Sequence, residues 1–163
     1  MLLSKRLGMM SVVTVPKRIY VAAVSAEGGS PLNAFDNCLV RAGLEGISLI
    51  KVTSILPPNI EILSSPPNYP PGANVPAIYA YAVSSNPGTL VSAAIAVAYT
   101  KSLTLVAEHA VVGEDEERVR GYVLKAVREM AWARNLEISD IVIKSTSHRV
   151  KKVGCSLAIV TQI

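Results

Sequence analysis

The chain has 163 residues, of which 50% are hydrophobic and 17% are charged, and its net charge is +4. This length suits one domain with a substantial core, and the high apolar content favours a homo-oligomer whose subunit interface buries the excess. The basic residues are scattered, and only one Trp and one Phe are present, so we expect no nucleic-acid partner.

Neither a membrane span nor a metal site is predicted. The longest apolar region, residues 91–105, is interrupted by a lysine and several hydroxyl side chains, which predicts a cytoplasmic protein with no membrane contact. Cys38 and Cys155 are single thiols in apolar segments, and His109 and His148 have no partner at a ligand spacing. The sequence also contains no phosphate-binding loop and no serine-hydrolase or zinc-protease motif.

A strand, a glycine loop and a helix are predicted first. Residues 18–25 form an apolar, β-branched strand, and Ser30 and Pro31 after the loop are typical of a helix start. The helix keeps an apolar spacing of three to four residues and ends before Gly43. Asp36 lies at the edge of its apolar face. Such a carboxylate is usually a boundary residue, and the alternative is a receptor for a cationic substrate group.

The most distinctive stretch is a second strand that ends at two prolines. Residues 47–56 form a β-branched apolar strand that includes the hydroxyl pair Thr53-Ser54, and the prolines that follow stop any hydrogen-bonded ladder. From residue types alone, Ser54 is most simply a turn residue, and a reactive serine is the alternative. Residues 57–76 contain seven of the ten prolines and are predicted to form a long functional or interfacial loop.

Six further elements complete a predicted α/β or α+β fold. They are strands at residues 75–83, 103–110, 138–146 and 155–161, an alanine-rich helix at residues 89–99 and an amphipathic helix at residues 114–134. Glu108 lies inside one of these strands. The pattern alone favours a solvent-facing side chain at this position, and the alternative is an enclosed carboxyl with a raised pKa.

Several short motifs, taken in chain order, resemble those of the pyruvoyl-dependent arginine decarboxylases. They are NAFDNCL at residues 33–39, AG at 42–43, LIKVTSILPP at 49–58, PG at 71–72, VPAIYA at 75–80, the Ala- and Ile-rich segment after residue 88, Glu108, and GC at 154–155. The resemblance implies a decarboxylase domain at residues 16–163 after an N-terminal tail at residues 1–15. It also implies a four-layer αββα sandwich that assembles as a trimer or hexamer, with active sites between neighbours.

The resemblance further implies that the chain cleaves itself. The Ser54 hydroxyl attacks the Thr53 carbonyl, and elimination and hydrolysis then leave a pyruvoyl group at position 54 of the new α chain (residues 54–163), separate from a β chain (residues 1–53). This covalent cofactor forms a Schiff base with L-arginine and accepts electrons as CO2 leaves, so neither pyridoxal phosphate nor a metal is needed. The product is agmatine, for polyamine synthesis or acid tolerance.

The same resemblance assigns roles to individual residues. Glu108 donates a proton to the carbanion-like intermediate, and Asp36 binds the guanidinium group of arginine. Thr53 stands where the family often has serine, but it supplies only the attacked carbonyl, so we expect cleavage to survive. Ser48 stands where the family usually has an asparagine associated with orienting the processing or substrate groups, so this change bears on cleavage rate or substrate preference.

Two alternatives stay open at this point. One is a pyruvoyl-dependent decarboxylase of another amino acid, although Asp36 favours a cationic one. The other is an uncleaved relative that only binds or assembles.

Overall fold

A computed structural model describes residues 13–163, and within them the fold consists of two β-sheets and two α-helices. The elements in chain order are β1 (Arg18–Glu27), α1 (Pro31–Ala42), β2 (Ser48–Lys51), β3 (Ile55–Leu56), β4 (Glu61–Leu63), β5 (Asn74–Ser84), β6 (Leu90–Thr100), β7 (Thr104–Val112), α2 (Glu116–Trp132), β8 (Ile138–Arg149) and β9 (Gly154–Gln162). The predicted α+β organisation is therefore confirmed. Most of the predicted tail at residues 1–15 lies outside the described residues.

The two sheets differ in size and order. The five-stranded sheet has the order β2-β5-β9-β1-β4, and the four-stranded sheet has the order β3-β7-β6-β8. Strand β9 is antiparallel to both β1 and β5, whereas the short edge strands β2 and β4 are parallel to their neighbours. Strands β2 and β3 follow each other in the chain but belong to different sheets. The chain therefore crosses from one sheet to the other between them.

Three apolar clusters define how the layers pack. The first lies between α1 and the five-stranded sheet and includes Ala34 and Leu157. The second lies between the two sheets and includes Ile78 and Ile95. The third joins the four-stranded sheet to α2 and includes Val123. The molecule is thus a sandwich of two sheets with one helix on each outer side, which agrees with the expected αββα layering.

Helix α1 begins and ends where the sequence predicts. The Oγ atom of Ser30 accepts a hydrogen bond from the Asn33 N–H at 3.2 Å, and Pro31 occupies the first turn. Gly43 follows the helix with a φ of 73°, a left-handed conformation that glycine adopts without a steric penalty. The capping serine, the proline and the glycine were therefore sufficient to predict both ends of α1. Helix α2 is two residues shorter at each end than the predicted range of 114–134.

The predicted helix at residues 89–99 is wrong, because this segment is the central strand β6. Strand β6 pairs with β7 on one side and β8 on the other, and it is covered on both faces. Ala93 and Ile95 pack between the sheets, whereas Ala94 and Ala96 pack against α2. Small residues suit such a doubly covered strand, and their high helix propensity is overridden by tertiary packing.

The proline-rich segment at residues 57–76 is a loop for most of its length, as predicted, but it also contains β4. This strand pairs with the start of β1, with Arg18 opposite Glu61.

Neither helix within residues 13–163 has both the length and the apolar character required to cross a membrane.

Candidate active site

The candidate site is built around the crossover between the two sheets, at residues 52–54. On the side of the five-stranded sheet, the Val52 N–H donates to the Ala77 carbonyl oxygen at 3.0 Å. On the side of the four-stranded sheet, the Val106 N–H donates to the Ser54 carbonyl oxygen at 3.0 Å. The Thr53–Ser54 peptide is therefore held between two backbone anchors, one from each sheet.

A tight turn forms at Ser54 itself. The Ile55 N–H donates a hydrogen bond to the Thr53 carbonyl oxygen at 3.1 Å, which closes a turn of three residues. Three-residue turns of this kind are compact, and here the anchors from the two sheets hold the chain in place. The turn interpretation of Ser54 is thus correct as local geometry, and it does not exclude a reactive role.

Glu108 lies next to the Ser54 hydroxyl. The Ser54 Oγ donates to the Glu108 Oε2 at 3.2 Å. Along β7, Val106 and Ala110 pack between the sheets, so alternation places Glu108 on this inner face as well. The favoured sequence interpretation, a solvent-facing carboxylate, is therefore wrong, because alternation indicates which residues share a face but not which face is covered.

The surroundings of Glu108 favour its protonated form. Burial raises the pKa of the Glu108 carboxyl above its ordinary value, since desolvation disfavours the charged form. The hydrogen bond from Ser54 and the positive charge of Lys51 lower this pKa in part. The site therefore contains a carboxyl group that can hold a proton to higher pH than a solvated glutamate.

Lys51 is a neighbour of the site to which the sequence motif assigns no role. It is the last residue of β2, and its Nζ atom lies 4.9 Å from the centre of the Tyr79 ring. A cation at this distance from an aromatic face is attracted to the ring. The signal for Lys51 in the sequence is its position three residues before Ser54 in an otherwise apolar strand.

Neither of the two predicted substrate-binding residues makes a hydrogen bond to this centre within one chain. Asp36 is on an exposed face of α1, which packs on β1, β5 and β9 but on neither β3 nor β7. Within residues 13–163, its carboxylate has no hydrogen-bond or ion-pair partner. Ser48 begins the edge strand β2, where its exposed side chain makes no hydrogen bond to Thr53 or Ser54. A single chain thus brings together Thr53, Ser54 and Glu108 only.

The remaining candidate ligands do not form a metal site. Across residues 13–163, no group of three or more His, Cys, Asp or Glu side chains is arranged to hold a metal ion. Cys38 and Cys155 are buried free thiols, and the Cys38 Sγ donates to the Cys155 carbonyl oxygen at 3.4 Å. His109 stacks on Tyr122 with the ring centres 3.9 Å apart. These residues have structural contacts outside the candidate site.

Comparison with known proteins gives consistent matches over almost the whole chain. The model of the family described as pyruvoyl-dependent arginine decarboxylase matches residues 18–162. A protein of that name from Methanothermobacter thermautotrophicus is 37% identical over 151 residues, which cover 93% of this chain and 99% of the relative. Proteins of the same name from Methanocaldococcus jannaschii (39% identical, 88% of each chain) and Thermococcus kodakarensis (35% identical, 90% of this chain and 95% of the relative) also match.

Proposed function

Because this chain belongs to the pyruvoyl-dependent arginine decarboxylase family, we propose that it cleaves itself between Thr53 and Ser54 and then converts L-arginine to agmatine and CO2. The observation that carries this proposal is the 3.2 Å hydrogen bond from the Ser54 hydroxyl to Glu108 at the crossover between the sheets. It places the hydroxyl that would initiate cleavage beside a carboxyl whose pKa is raised.

The cleavage step uses only atoms of this chain. The Ser54 Oγ bonds to the Thr53 carbonyl carbon, the Thr53–Ser54 C–N bond breaks, and the Oγ proton is transferred to the Ser54 nitrogen. In the resulting ester, a base removes the Cα proton of Ser54 as the Cβ–O bond breaks, which expels Thr53 as a carboxylate. Water then hydrolyses the remaining dehydroalanine to the ketone and releases ammonia. The products are residues 1–53 and residues 54–163, the second beginning with a pyruvoyl group.

The pyruvoyl group supplies a ketone that binds the substrate amine and withdraws electrons when CO2 leaves, so the proposed reaction requires neither pyridoxal phosphate nor a metal. The residues around it bind the substrate and supply a proton. Glu108, held on the covered face of β7, donates a proton to the carbon that has lost CO2. Its raised pKa suits this role, because the donor must be protonated near neutral pH.

Asp36 has the chemistry required to bind the guanidinium group, since a carboxylate can accept two parallel hydrogen bonds from it. In one chain α1 does not contact β7, so this role requires Asp36 from a neighbouring copy. The requirement agrees with a trimer or hexamer whose active sites lie between subunits. Ser48, exposed on the edge strand β2, stays a predicted residue for orienting the processing or substrate groups. The domain limits and the cytoplasmic location also stay predictions.

Intact mass and decarboxylation assays test the proposal in sequence. We expect purified protein to contain two chains divided between Thr53 and Ser54, with the larger chain lacking a free serine amino group. A single chain of full mass that stays intact on ageing would exclude cleavage and favour the assembly-only alternative. Release of CO2 from arginine, lysine, ornithine and histidine then measures specificity. An equal rate with all four would contradict the role of Asp36 and favour the broader decarboxylase alternative.

A further inference from the structure

We propose that the backbone N–H of Ile55 polarises the scissile Thr53 carbonyl during self-cleavage. This inference rests on the proposed cleavage at Thr53–Ser54. The Ile55 N–H already donates to the Thr53 oxygen at 3.1 Å, and no side chain within residues 13–163 donates a hydrogen bond to that oxygen. The donor is therefore part of the main chain of the turn.

The chemistry of the step explains why a donor is needed at this atom. When the Ser54 Oγ bonds to the carbonyl carbon, the electron pair of the C=O bond moves to the Thr53 oxygen, which becomes an oxyanion. The charge persists until the C–N bond breaks and the Oγ proton is transferred to the nitrogen. A fixed N–H aimed at the developing oxyanion stabilises this transition state without reorganisation.

The anchors of the crossover make the Ile55 N–H available for this role. The Ser54 carbonyl is occupied by the Val106 N–H at 3.0 Å, and the Val52 N–H is occupied by Ala77. The Ile55 N–H is directed back to Thr53 and closes the turn. The two sheets therefore hold the attacked oxygen and its donor in one rigid unit.

The side chain at position 48 does not supply this donor within the chain. Ser48 lies opposite Asn74 in the parallel pair β2–β5, and its own N–H donates to the Ala73 carbonyl oxygen at 2.9 Å. Its side chain is exposed and makes no hydrogen bond to Thr53. A donor in the main chain thus explains how cleavage can proceed with serine at this position.

Replacing single amides by esters tests the inference directly. The chain is translated in vitro with the α-hydroxy acid analogue of isoleucine at position 55, which removes the N–H and keeps the side chain. We expect self-cleavage, followed by gel electrophoresis of radiolabelled chain, to slow about 100-fold, the size of effect seen when one oxyanion donor is removed. Cleavage at the unmodified rate would overturn the inference.

Two further ester variants serve as controls. The Tyr69 N–H donates to the Pro67 carbonyl oxygen at 3.1 Å, a contact of the same type and length in the proline-rich loop. An ester at Tyr69 should leave the cleavage rate unchanged. An ester at Val106 removes the N–H that donates to the Ser54 carbonyl, a hydrogen bond that the Ile55 ester also weakens. The inference requires the cleavage rate to fall about 10-fold further with the Ile55 ester than with the Val106 ester. Equal decreases in rate would contradict it.

A spectroscopic measurement separates this inference from the proposed function. In the Ser54→Ala chain, which cannot cleave, Thr53 is labelled with ¹³C and ¹⁸O at its carbonyl. Its infrared stretch should lie at lower frequency than in the same chain with the Ile55 ester, and equal frequencies would overturn the inference. If unmodified protein never cleaves, the proposed function fails. If it cleaves and the Ile55 ester cleaves equally fast, only this inference fails.

Discussion

The Oγ atom of Ser54 and the Oε2 atom of Glu108 are 3.2 Å apart, although the two residues are separated by 54 positions in the chain. The contact depends on the crossover from β2 to β3, which carries Ser54 out of the five-stranded sheet and beside β7. Under the proposed function, Ser54 becomes the pyruvoyl group, and Glu108 is already next to it. On that proposal, this one contact positions the proton donor in the uncleaved chain, before the pyruvoyl group forms.

The Glu108→Gln variant separates cleavage from decarboxylation. The glutamine side-chain oxygen can still accept the hydrogen bond from Ser54, so we expect most self-cleavage to be retained. Glutamine cannot donate the proton that the reaction needs, so we expect a loss of about 100-fold or more in kcat. Intact mass measures the first effect, and CO2 release measures the second.

Glu108→Ala is the companion variant. It removes the acceptor as well as the acid, and we expect slower cleavage than in Glu108→Gln. Decarboxylation by fully cleaved Glu108→Gln at the normal rate would remove the proton-donor role of Glu108.

The positive charge of Lys51 should shift the alkaline limit of activity, which the pKa of Glu108 sets. Only protonated Glu108 donates a proton, so kcat falls as pH rises through the pKa of Glu108. Burial raises this pKa and the charge of Lys51 lowers it in part, so Lys51→Gln should raise it further. We therefore expect the alkaline limb of the kcat–pH profile of Lys51→Gln to move to higher pH.

Lys51→Arg keeps the charge and is the matched control. Its alkaline limb should stay close to that of the unmodified enzyme. Because Lys51 is exposed, added salt should reduce the difference between Lys51→Gln and the unmodified enzyme. A shift of the Lys51→Gln limb to lower pH would contradict the proton-donor role that we assign to Glu108.

The parts of the fold that are encoded locally could be predicted from the sequence. Ser30 and Gly43 define the ends of α1 through their own backbone and side-chain preferences. Strand β6 has no such local signal. Its alanines suit a helix equally well, and it is a strand because β7, β8, α2 and the opposite sheet enclose it.

In the candidate site, too, some features could be predicted from the local sequence, whereas others depend on tertiary packing. The strand with two prolines after it marks Thr53-Ser54 as a candidate, and the apolar neighbours mark Glu108, but their roles were assigned only through the resemblance to the decarboxylase family. The direction of the Glu108 side chain required knowledge of which face of β7 is covered by the other sheet. The Ile55 N–H has no signal in the sequence, because every residue except proline carries the same group.

Glu27 should contribute strongly to stability through a site remote from the proposed chemistry. Its carboxylate accepts hydrogen bonds from the His148 Nε2 at 2.6 Å and from the backbone N–H groups of Lys151 (2.7 Å), Lys152 and Val153 (both 3.0 Å). Desolvation raises the pKa of Glu27, but these hydrogen bonds outweigh it and hold the pKa at about 2. The carboxylate therefore stabilises the turn between β8 and β9.

We expect Glu27→Gln to destabilise the chain by about 2 kcal/mol near neutral pH, which is about 4–8 °C in Tm. Because folding depresses this pKa, the stabilisation is full above the unfolded value of about 4.3 and is lost as pH falls towards about 2. The difference in Tm between the two chains should therefore shrink in acid. A difference that grows as pH falls through this window would contradict the prediction.

Substitution of Thr104 should stabilise the chain, in contrast to substitution of Glu27, because the buried Thr104 hydroxyl lacks a hydrogen-bond partner. The Thr104 Oγ1 is fully buried and has no hydrogen-bond partner within residues 13–163. Thr104→Val keeps the shape and removes the desolvated hydroxyl, so we expect a gain of about 1 kcal/mol in the free energy of unfolding.

Thr100→Val is the matched control, since the buried Thr100 Oγ1 donates to the Leu103 carbonyl oxygen at 2.7 Å and accepts from the Leu103 N–H at 3.1 Å. That variant should lose stability, and chemical denaturation of both variants in the uncleaved Ser54→Ala background measures the contrast. Destabilisation by Thr104→Val equal to that by Thr100→Val would indicate that the Thr104 hydroxyl is hydrogen-bonded in the folded protein.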